Sequence, residues 1–343
     1  MDDEIDTAVD GAGAPATPRR FEAPPPGALP ARLGRYRVVR SLGRGGMAEV
    51  FLAELRGARG FVRPVAIKRL HPALADDPDS VARFVREATI ATHLTHPAVC
   101  HVFELDEDDT GPFMVMEYLD GVTLAAALKV LSRSRWLLPL PIVLRVVRAL
   151  CSGLHAAHEL RGPDGALLGL VHRDVTPSNI VLTVEGQVKL LDFGVAKTLH
   201  IKTQAGVVRG KPGYMSPEQI RGAALDRRSD VFSLGIVLYE ALTGKRLYAR
   251  PRTPDAAHVL PEEHVPDPRA HRPDLPLAAV QVLDRALAHD RDERFPTAAA
   301  LAAALTAAVA PTTVAAPEWV ASMVAAIRDR VTDVTPSGTS APS

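Results

Sequence analysis

After a proline-rich start, the apolar residues in the first third of the chain occur in short runs separated by glycine or charged residues. This pattern is typical of β-strands, and it predicts strands at 36–42, 50–55, 65–68 and 113–116. Between them, residues 79–96 place apolar side chains at every third or fourth position, which predicts one amphipathic helix. The first third of the chain is therefore predicted to be mainly β-sheet.

The pattern changes to longer helical periods after residue 121. Apolar residues recur at spacings of three and four in TLAAALKVL, at 141–160 and at 231–244, and each stretch predicts a helix. The stretch at 171–194 differs, because polar residues lie at fixed offsets inside an otherwise apolar, strand-like sequence. RGPDGALLG at 161–169 is rich in turn residues and predicts a small hairpin just before it.

The two ends of the chain lack such extended patterns. Residues 1–32 are acidic and then rich in Ala, Pro and Gly, so they are predicted to be disordered. Residues 309–343 contain one short amphipathic helix, EWVASMVAAIRDRV at 318–331. Three outcomes stay open for this helix: it docks on the rest of the chain, binds a partner, or is solvated and without function.

Composition excludes several classes of protein. Lys plus Arg and Asp plus Glu each number 40, so the formal net charge is +0 and no nucleic acid or anionic membrane partner is expected. The two cysteines, Cys100 and Cys151, exclude a disulfide framework and favour inert thiols in a reducing compartment. The opening MDDEID lacks the features of a secretory signal, and prolines interrupt the alanine-rich stretch at 298–327. A cytoplasmic protein without a membrane span is expected.

Three polar residues in the stretch at 171–194 are candidates for chemistry. Asp174 follows an apolar run, Asn179 comes five residues later, and Asp192 ends the next apolar run. A strand–loop–strand arrangement would bring these oxygen-bearing side chains together. Hard cations such as Mg²⁺ take oxygen ligands and often share them with substrate phosphates, so the set predicts a metal and phosphate site. Each residue alone is more simply explained as a loop cap or a turn residue.

Five short motifs together resemble those of the protein kinase family. HRD-x4-N at 172–179 is followed by DFG at 192–194, and the chain also carries GRGGMAEV at 43–50, VAIK at 65–68 and SPE at 216–218. The glycine-rich motif alone is weak, but the set at these spacings is specific. Over most of its length the chain resembles eukaryotic-like protein kinases, in particular the bacterial Ser/Thr protein kinases.

The resemblance implies an α+β, two-lobed protein kinase fold. Residues 33–118 would form a small β-rich N-lobe and residues 119–308 a larger, mainly α-helical C-lobe, with the tails at 1–32 and 309–343 outside both. The implied activity is transfer of the γ-phosphoryl group of ATP to Ser or Thr hydroxyls of protein substrates, with Mg²⁺ or Mn²⁺ as cofactor. Self-association for trans-autophosphorylation is a further implied interaction.

Five residues would carry the implied chemistry. Asp174 would accept the proton of the attacking hydroxyl, and Asn179 and Asp192 would hold the metal ion. Lys68 would orient the nucleotide phosphates. Glu87 lies close to the apolar side of the predicted helix and is the expected partner of Lys68, because a buried lysine without a carboxylate would lose its proton.

The implied nucleotide site draws on both halves of the chain. Glycines in the first hairpin let backbone N–H groups approach phosphate oxygens without interference from a Cβ atom. The segment that follows FMVM resembles the hinge that binds adenine, with Met116 as the gatekeeper. The residues implied to contact the nucleotide are Leu42, Gly43, Gly45, Gly46, Val50, Ala66, Lys68, Met116, Glu117, Leu119, Val181 and Asp192.

The segment from Asp192 to Glu218 resembles a kinase activation segment. Thr203 is its preferred phosphorylation site and Thr198 is the alternative. Arg173, next to the catalytic Asp, would pair with the phosphate.

Structural roles are implied for further residues of the motifs. Glu218 is expected to form an ion pair with Arg294, and Asp230 is expected to cap the backbone of the catalytic loop. His172 is expected to be a packing residue and not an acid or base. The SPE motif and its arginine partner favour protein substrates.

Three positions depart from the usual family pattern. Ala48 replaces the third glycine of the glycine-rich loop, Thr176 stands where Ser/Thr kinases usually carry a lysine, and Lys211 stands where they usually carry a threonine. Neither of the last two is the usual tyrosine-kinase residue, so Ser/Thr is the predicted acceptor class. A nucleotide-binding pseudokinase scaffold stays open as an alternative, and so does a small-molecule phosphotransferase.

Overall fold

The computed structural model describes residues 29–193, 211, 213–248, 265–310 and 314–332. Within these ranges a β-sheet precedes a group of helices along the chain, and a cavity lies between the two parts. The predicted α+β, two-lobed fold is therefore confirmed.

The first lobe is built on one antiparallel sheet. Its described strands are β1 (Arg32–Leu33), β2 (Tyr36–Arg44), β3 (Ala48–Arg56), β4 (Val62–Leu70), β5 (Val102–Asp108) and β6 (Gly111–Glu117). They lie in the order β1-β2-β3-β4-β6-β5. Because successive residues face opposite sides of a sheet, Val65 and Ile67 join one apolar cluster while Ala66 joins the other. Lys68 lies in the middle of this sheet, opposite Val50 and Met114.

Two helices, α1 (Pro72–Ala75) and α2 (Pro78–Thr92), connect β4 to β5. Helix α2 begins where the carboxylate of Asp77 accepts a hydrogen bond from the backbone N–H of Ser80 at 3.1 Å. Its inner face buries Phe84 and Ala88 in the cluster that faces the sheet. Glu87 lies on the same face and is carried towards the cavity.

The second lobe consists of helices and one small sheet. Its described helices are α3 (Leu124–Arg133), α4 (Leu140–His158), α5 (Pro217–Ile220), α6 (Arg227–Thr243), α7 (Leu277–Ala286), α8 (Ala298–Ala308) and α9 (Pro317–Thr332). The small antiparallel sheet is formed by β7 (Gly121–Thr123), β8 (Ile180–Thr183) and β9 (Val188–Leu190). The HRD-x4-N motif at 172–179 lies in the segment that leads into β8.

Helix α4 forms the centre of the second lobe. It packs against α6, α8 and β9. Its fully buried residues include Val143, Val147, Leu150 and Leu154. Among the described helices, α4 alone is long and apolar enough to cross a membrane by length and composition, with a mean hydropathy of 1.4. Its burial in the core accounts for that composition.

The C-terminal helix α9 packs on the second lobe. Val324 and Ile327 are buried in the same apolar cluster as α3 and α4, and Arg328 forms an ion pair with Asp120 at 2.9 Å. Of the three outcomes left open for this helix, docking is the one that the structure describes. We therefore propose that the second lobe extends through α9 instead of ending at residue 308.

The turn between β8 and β9 touches the start of α9. Gly186 in this turn has a positive φ of 79°, and a Cβ atom there would lie 2.0 Å from the carbonyl oxygen of Pro317. Glycine is therefore required both by the backbone conformation and by the close approach of the helix.

We expect Gly186→Ala to lower the free energy of unfolding and to loosen α9. The matched control is Gly165→Ala, where φ is 77° but no atom lies within 4 Å of the added Cβ. The control measures backbone strain alone, about 1–2 kcal/mol. Gly186→Ala should cost more in urea unfolding and should speed hydrogen exchange within residues 317–332. Equal unfolding curves and unchanged exchange would contradict the docking contact.

Candidate active site

A cavity of about 850 Å³ lies between the two lobes. This volume falls within the usual range for small-molecule and cofactor sites, about 300–1,000 Å³. All the residues implied above to contact the nucleotide line this cavity, and so do Asp174, Asn179 and Glu87. The fold thus brings together residues as far apart in sequence as Leu42 and Asp192. What each residue does there stays a prediction.

Lys68 lines the cavity and forms ion pairs with two carboxylates. The Nζ atom of Lys68 lies 2.9 Å from Oε1 of Glu87 and 2.9 Å from Oδ1 of Asp192. Burial alone would lower the pKa of Lys68, but the two carboxylates outweigh it and raise the pKa above its usual value. The predicted Lys68–Glu87 pair is present, and the ammonium keeps its proton at any physiological pH.

A buried carboxylate fixes the catalytic loop, as predicted. Asp230 on α6 accepts hydrogen bonds from the backbone N–H groups of His172 at 2.7 Å and Arg173 at 2.8 Å. Its third contact is with Nε2 of His158, at 2.8 Å. Burial acts to raise the pKa of Asp230, yet these contacts lower it below the usual value. Arg173 has a φ of 66°, a strained backbone conformation that these hydrogen bonds hold in place.

His172 links the catalytic loop to the segment before Asp192. Its Nε2 atom donates to the carbonyl oxygen of Leu191 at 2.9 Å, and its Nδ1 atom accepts from the backbone N–H of Asp174 at 3.2 Å. A carbonyl can only accept and an amide N–H can only donate, which fixes the direction of both hydrogen bonds. The ring also packs on Phe193, with centroids 4.6 Å apart. Its surroundings agree with the packing role predicted for it.

Asp174 and Asn179 are joined directly. The side-chain nitrogen of Asn179 donates to the backbone oxygen of Asp174 at 2.9 Å and to its carboxylate at 3.0 Å. The amide nitrogen therefore faces Asp174, and the amide oxygen is directed away from it. This donor set fits a magnesium ion, because the carboxylate of Asp192 and the oxygen of Asn179 supply two hard ligands and substrate phosphates supply others. Within the described ranges, no group of three or more His, Cys, Asp and Glu side chains could hold a metal ion alone.

The predicted ion pair of the SPE motif is present and buried. Arg294 forms two hydrogen bonds with Glu218, at 2.7 and 3.0 Å, and its guanidinium lies 4.7 Å from the centre of the Phe232 ring. Ser229 donates a further hydrogen bond to Glu218 at 2.6 Å. Burial acts to raise the pKa of Glu218, but these partners lower it. The bidentate pair anchors the end of the activation segment to the second lobe.

Three contacts at or beside the site were not predicted from the sequence. Lys189 forms an ion pair with Glu117 at 2.7 Å, and the backbone N–H of His101 donates to the same carboxylate at 2.7 Å. Lys211 donates a hydrogen bond to the hydroxyl of Ser178. The only available signal was the position of Lys189 inside the apolar run VKLLD, where a charged residue needs a partner.

Several predicted positions lie outside the described residues. They include both candidate phosphorylation sites, Thr198 and Thr203, and the glycine of DFG, Gly194. The phosphate contact predicted for Arg173 also depends on this part of the chain.

The protein kinase domain family model matches residues 36–305 of this chain. The tyrosine-protein kinase MasK of Myxococcus xanthus is 46% identical over 274 residues, which cover 79% of this chain and 42% of MasK. The Ser/Thr-protein kinase PknB of Mycolicibacterium smegmatis is 39% identical over 282 residues, with the same two coverages of 79% and 42%. A crystal structure of the PknI kinase domain from Mycobacterium tuberculosis has a TM-score of 0.62 at 32% identity and covers 82% of this chain and 100% of that domain.

This chain belongs to the protein kinase family. Its two lobes form the protein kinase fold, as the structural similarity to the PknI kinase domain confirms. The chain spans less than half the length of the curated relatives it matches. Use of ATP and of a divalent metal ion is general in this family.

We expect Arg294→Met to destabilise the protein strongly, because it leaves the carboxylate of Glu218 buried without its partner. The expected loss is about 3–5 kcal/mol in the free energy of unfolding. Arg269→Met is the matched control: Arg269 pairs with Asp267 at 2.7 Å, but on the surface. Its loss should be below about 1 kcal/mol. Urea unfolding of both variants measures the difference, and equal small losses would show that the buried pair does not anchor the lobe.

Proposed function

We propose that the chain is a protein kinase that transfers the γ-phosphoryl group of ATP to Ser and Thr hydroxyls of protein substrates. One observation carries this proposal: Lys68, Glu87, Asp174, Asn179 and Asp192 all line a single cavity. These are the groups that phosphoryl transfer requires from a kinase, which counts against a scaffold without catalysis.

In the proposed mechanism, the protein orients ATP and the acceptor hydroxyl. Lys68, kept charged by Glu87 and Asp192, binds the α- and β-phosphates. Asp174, held by the amide of Asn179, accepts the proton of the attacking hydroxyl. The hydroxyl oxygen forms its bond to the γ-phosphorus as the bond to the β-phosphate oxygen breaks, and ADP leaves. Asn179 and Asp192 would hold a divalent metal ion, which would neutralise phosphate charge.

The apolar walls of the cavity support a purine nucleotide. Val50 and Ala66 line it from the first lobe and Val181 from the second, with Met116 beside the hinge segment. Cys100 also lines the cavity, but burial raises the pKa of its thiol, so it stays protonated and unreactive. The site is therefore proposed to bind ATP without covalent chemistry on the protein.

The acceptor class is the finer part of the proposal. PknB carries the name of a Ser/Thr kinase, which supports Ser and Thr hydroxyls as acceptors. MasK carries the name of a tyrosine kinase, and its 46% identity makes a tyrosine hydroxyl the second candidate. The anchored pair Glu218–Arg294 at the end of the activation segment supports a protein substrate over a small molecule.

We expect the purified chain to transfer label from γ-labelled ATP to itself or to a protein substrate, and Asp174→Asn to lose at least about 10²-fold in rate. Asp109→Asn, in the exposed turn between β5 and β6, is the matched control and should keep full activity. Mass spectrometry of the products identifies the acceptor residues. Phosphotyrosine alone would replace the Ser/Thr assignment with the tyrosine one. Equal rates for wild type and Asp174→Asn, with ATP binding retained, would contradict the proposed catalysis and favour a pseudokinase scaffold.

We further propose that Thr203 is autophosphorylated between two copies of the chain, with Thr198 as the alternative site. Thr203→Ala should then lower the rate of substrate phosphorylation, because the phosphate predicted to pair with Arg173 is missing. If autophosphorylation occurs in trans, its rate per molecule rises with protein concentration. Full activity of Thr203→Ala together with an unphosphorylated Thr203 in the active wild type would contradict this part.

A cytoplasmic location is part of the same proposal. Burial raises the pKa of the Cys151 thiol to about 12, and Cys100 is buried as well, so neither thiol is poised for redox chemistry. Free thiols and a requirement for ATP both fit a reducing compartment.

A further inference from the structure

A cation from the activation segment reaches the catalytic loop. The Nζ atom of Lys211 donates a hydrogen bond to Oγ of Ser178. Ser178 belongs to the short 3₁₀ turn Pro177–Asn179, directly before Asn179, and its side chain lines the cavity together with Asp174. Lys211 therefore lies directly beside a residue that lines the cavity, at the end where phosphoryl transfer is proposed.

The backbone of Lys211 is held in position by the lobe beneath it. Its carbonyl oxygen accepts a hydrogen bond from the backbone N–H of Tyr214 at 3.1 Å. The ring of Tyr214 is buried, and its hydroxyl donates to the carboxylate of Glu240 on α6. The backbone of Lys211 is thus connected to α6 through Tyr214.

The charges at this end of the cavity leave a role for a second cation. Glu87, Asp174 and Asp192 contribute three carboxylates, and the ammonium of Lys68 already contacts two of them. The catalytic loop itself supplies no lysine after Asp174, because the buried residue two positions later is Thr176. A γ-phosphate bound there would add further negative charge, which a second cation would compensate.

We propose that Lys211 binds the γ-phosphoryl group of ATP and stabilises its charge during transfer, with Ser178 holding the ammonium towards it. A lysine ammonium has three donors, so the hydrogen bond to Ser178 leaves two for phosphate oxygens. This inference rests on the proposed function, since it assigns a further residue to the same reaction. The bonds made and broken are those given above.

The inference makes a specific prediction about nucleotide preference. Lys211→Met should weaken binding of ATP about tenfold or more, because a charge-assisted hydrogen bond is lost, while binding of ADP stays within about twofold. Turnover should fall on the order of 10²-fold. Lys211→Arg keeps the charge and should retain most of the ATP preference. Lys129→Met, on the exposed face of α3, is the matched control and should behave as wild type.

Calorimetric titration of ATP and ADP into each purified variant, with magnesium present, measures the preference independently of transfer. Lys211→Met with the wild-type ratio of ATP to ADP affinity and the wild-type turnover would overturn the inference while leaving the proposed function intact. Wild-type protein that binds ATP but transfers no phosphate would overturn the proposed function, and the affinity ratio would still decide the role of Lys211.

Urea unfolding of Lys211→Met, compared with that of Lys129→Met, shows whether the variant folds. If it does not fold, a second variant tests the proposal. Ser178→Ala keeps the charge of Lys211 but removes its anchor. We expect a partial loss of ATP preference, smaller than for the loss of the charge, with ADP binding unchanged. Equal loss of affinity for ATP and ADP in Ser178→Ala would indicate a general disturbance of the cavity and would contradict the specific role proposed for Lys211.

Discussion

A buried carboxylate sets the geometry on which the candidate active site depends. Asp230 is fully buried, and such a charge is tolerated only when hydrogen bonds replace the lost water. Its partners are two backbone N–H groups of the catalytic loop and one histidine side chain. Because α6 is buried along almost its whole length, the carboxylate cannot shift alone. The position of Asp174 therefore depends on the packing of a helix in the middle of the second lobe.

Charged side chains around the cavity are also paired with opposite charges, and these ion pairs join separate segments of the chain. Lys68 on β4 is matched by Glu87 on α2 and by Asp192 beyond β9, and Glu117 at the end of β6 is matched by Lys189 on β9. Each pair connects elements that are not neighbours in the chain. Pairs of this kind hold side chains in place before any ligand arrives, which reduces the rearrangement needed on binding. The two lobes are thus joined by charges at the site itself.

Much of this arrangement was predictable, and the reason lies in motif spacing. The Lys68–Glu87 pair, the contact of Asp230 and the Glu218–Arg294 pair all follow from residues at family positions, and each is present. The docking of α9 was one of three outcomes left open, and the Glu117–Lys189 pair and the Lys211–Ser178 contact were not predicted. Their partners lie far apart in the chain, and no hydrophobic period or spacing reports which surface a helix or a lysine will meet. Only the packed structure supplies that information.

Two residues of the site have left-handed backbones: φ is 66° at Arg173 and 49° at Asp192. Glycine would relax the backbone at either position but would delete the guanidinium or the carboxylate that the side chain carries. Thermodynamic stability and electrostatic function are therefore in conflict at these positions. Glycine at either position would therefore remove backbone strain and a charged side chain together. The charged side chains of Arg173 and Asp192 are therefore present at the expense of a strained backbone.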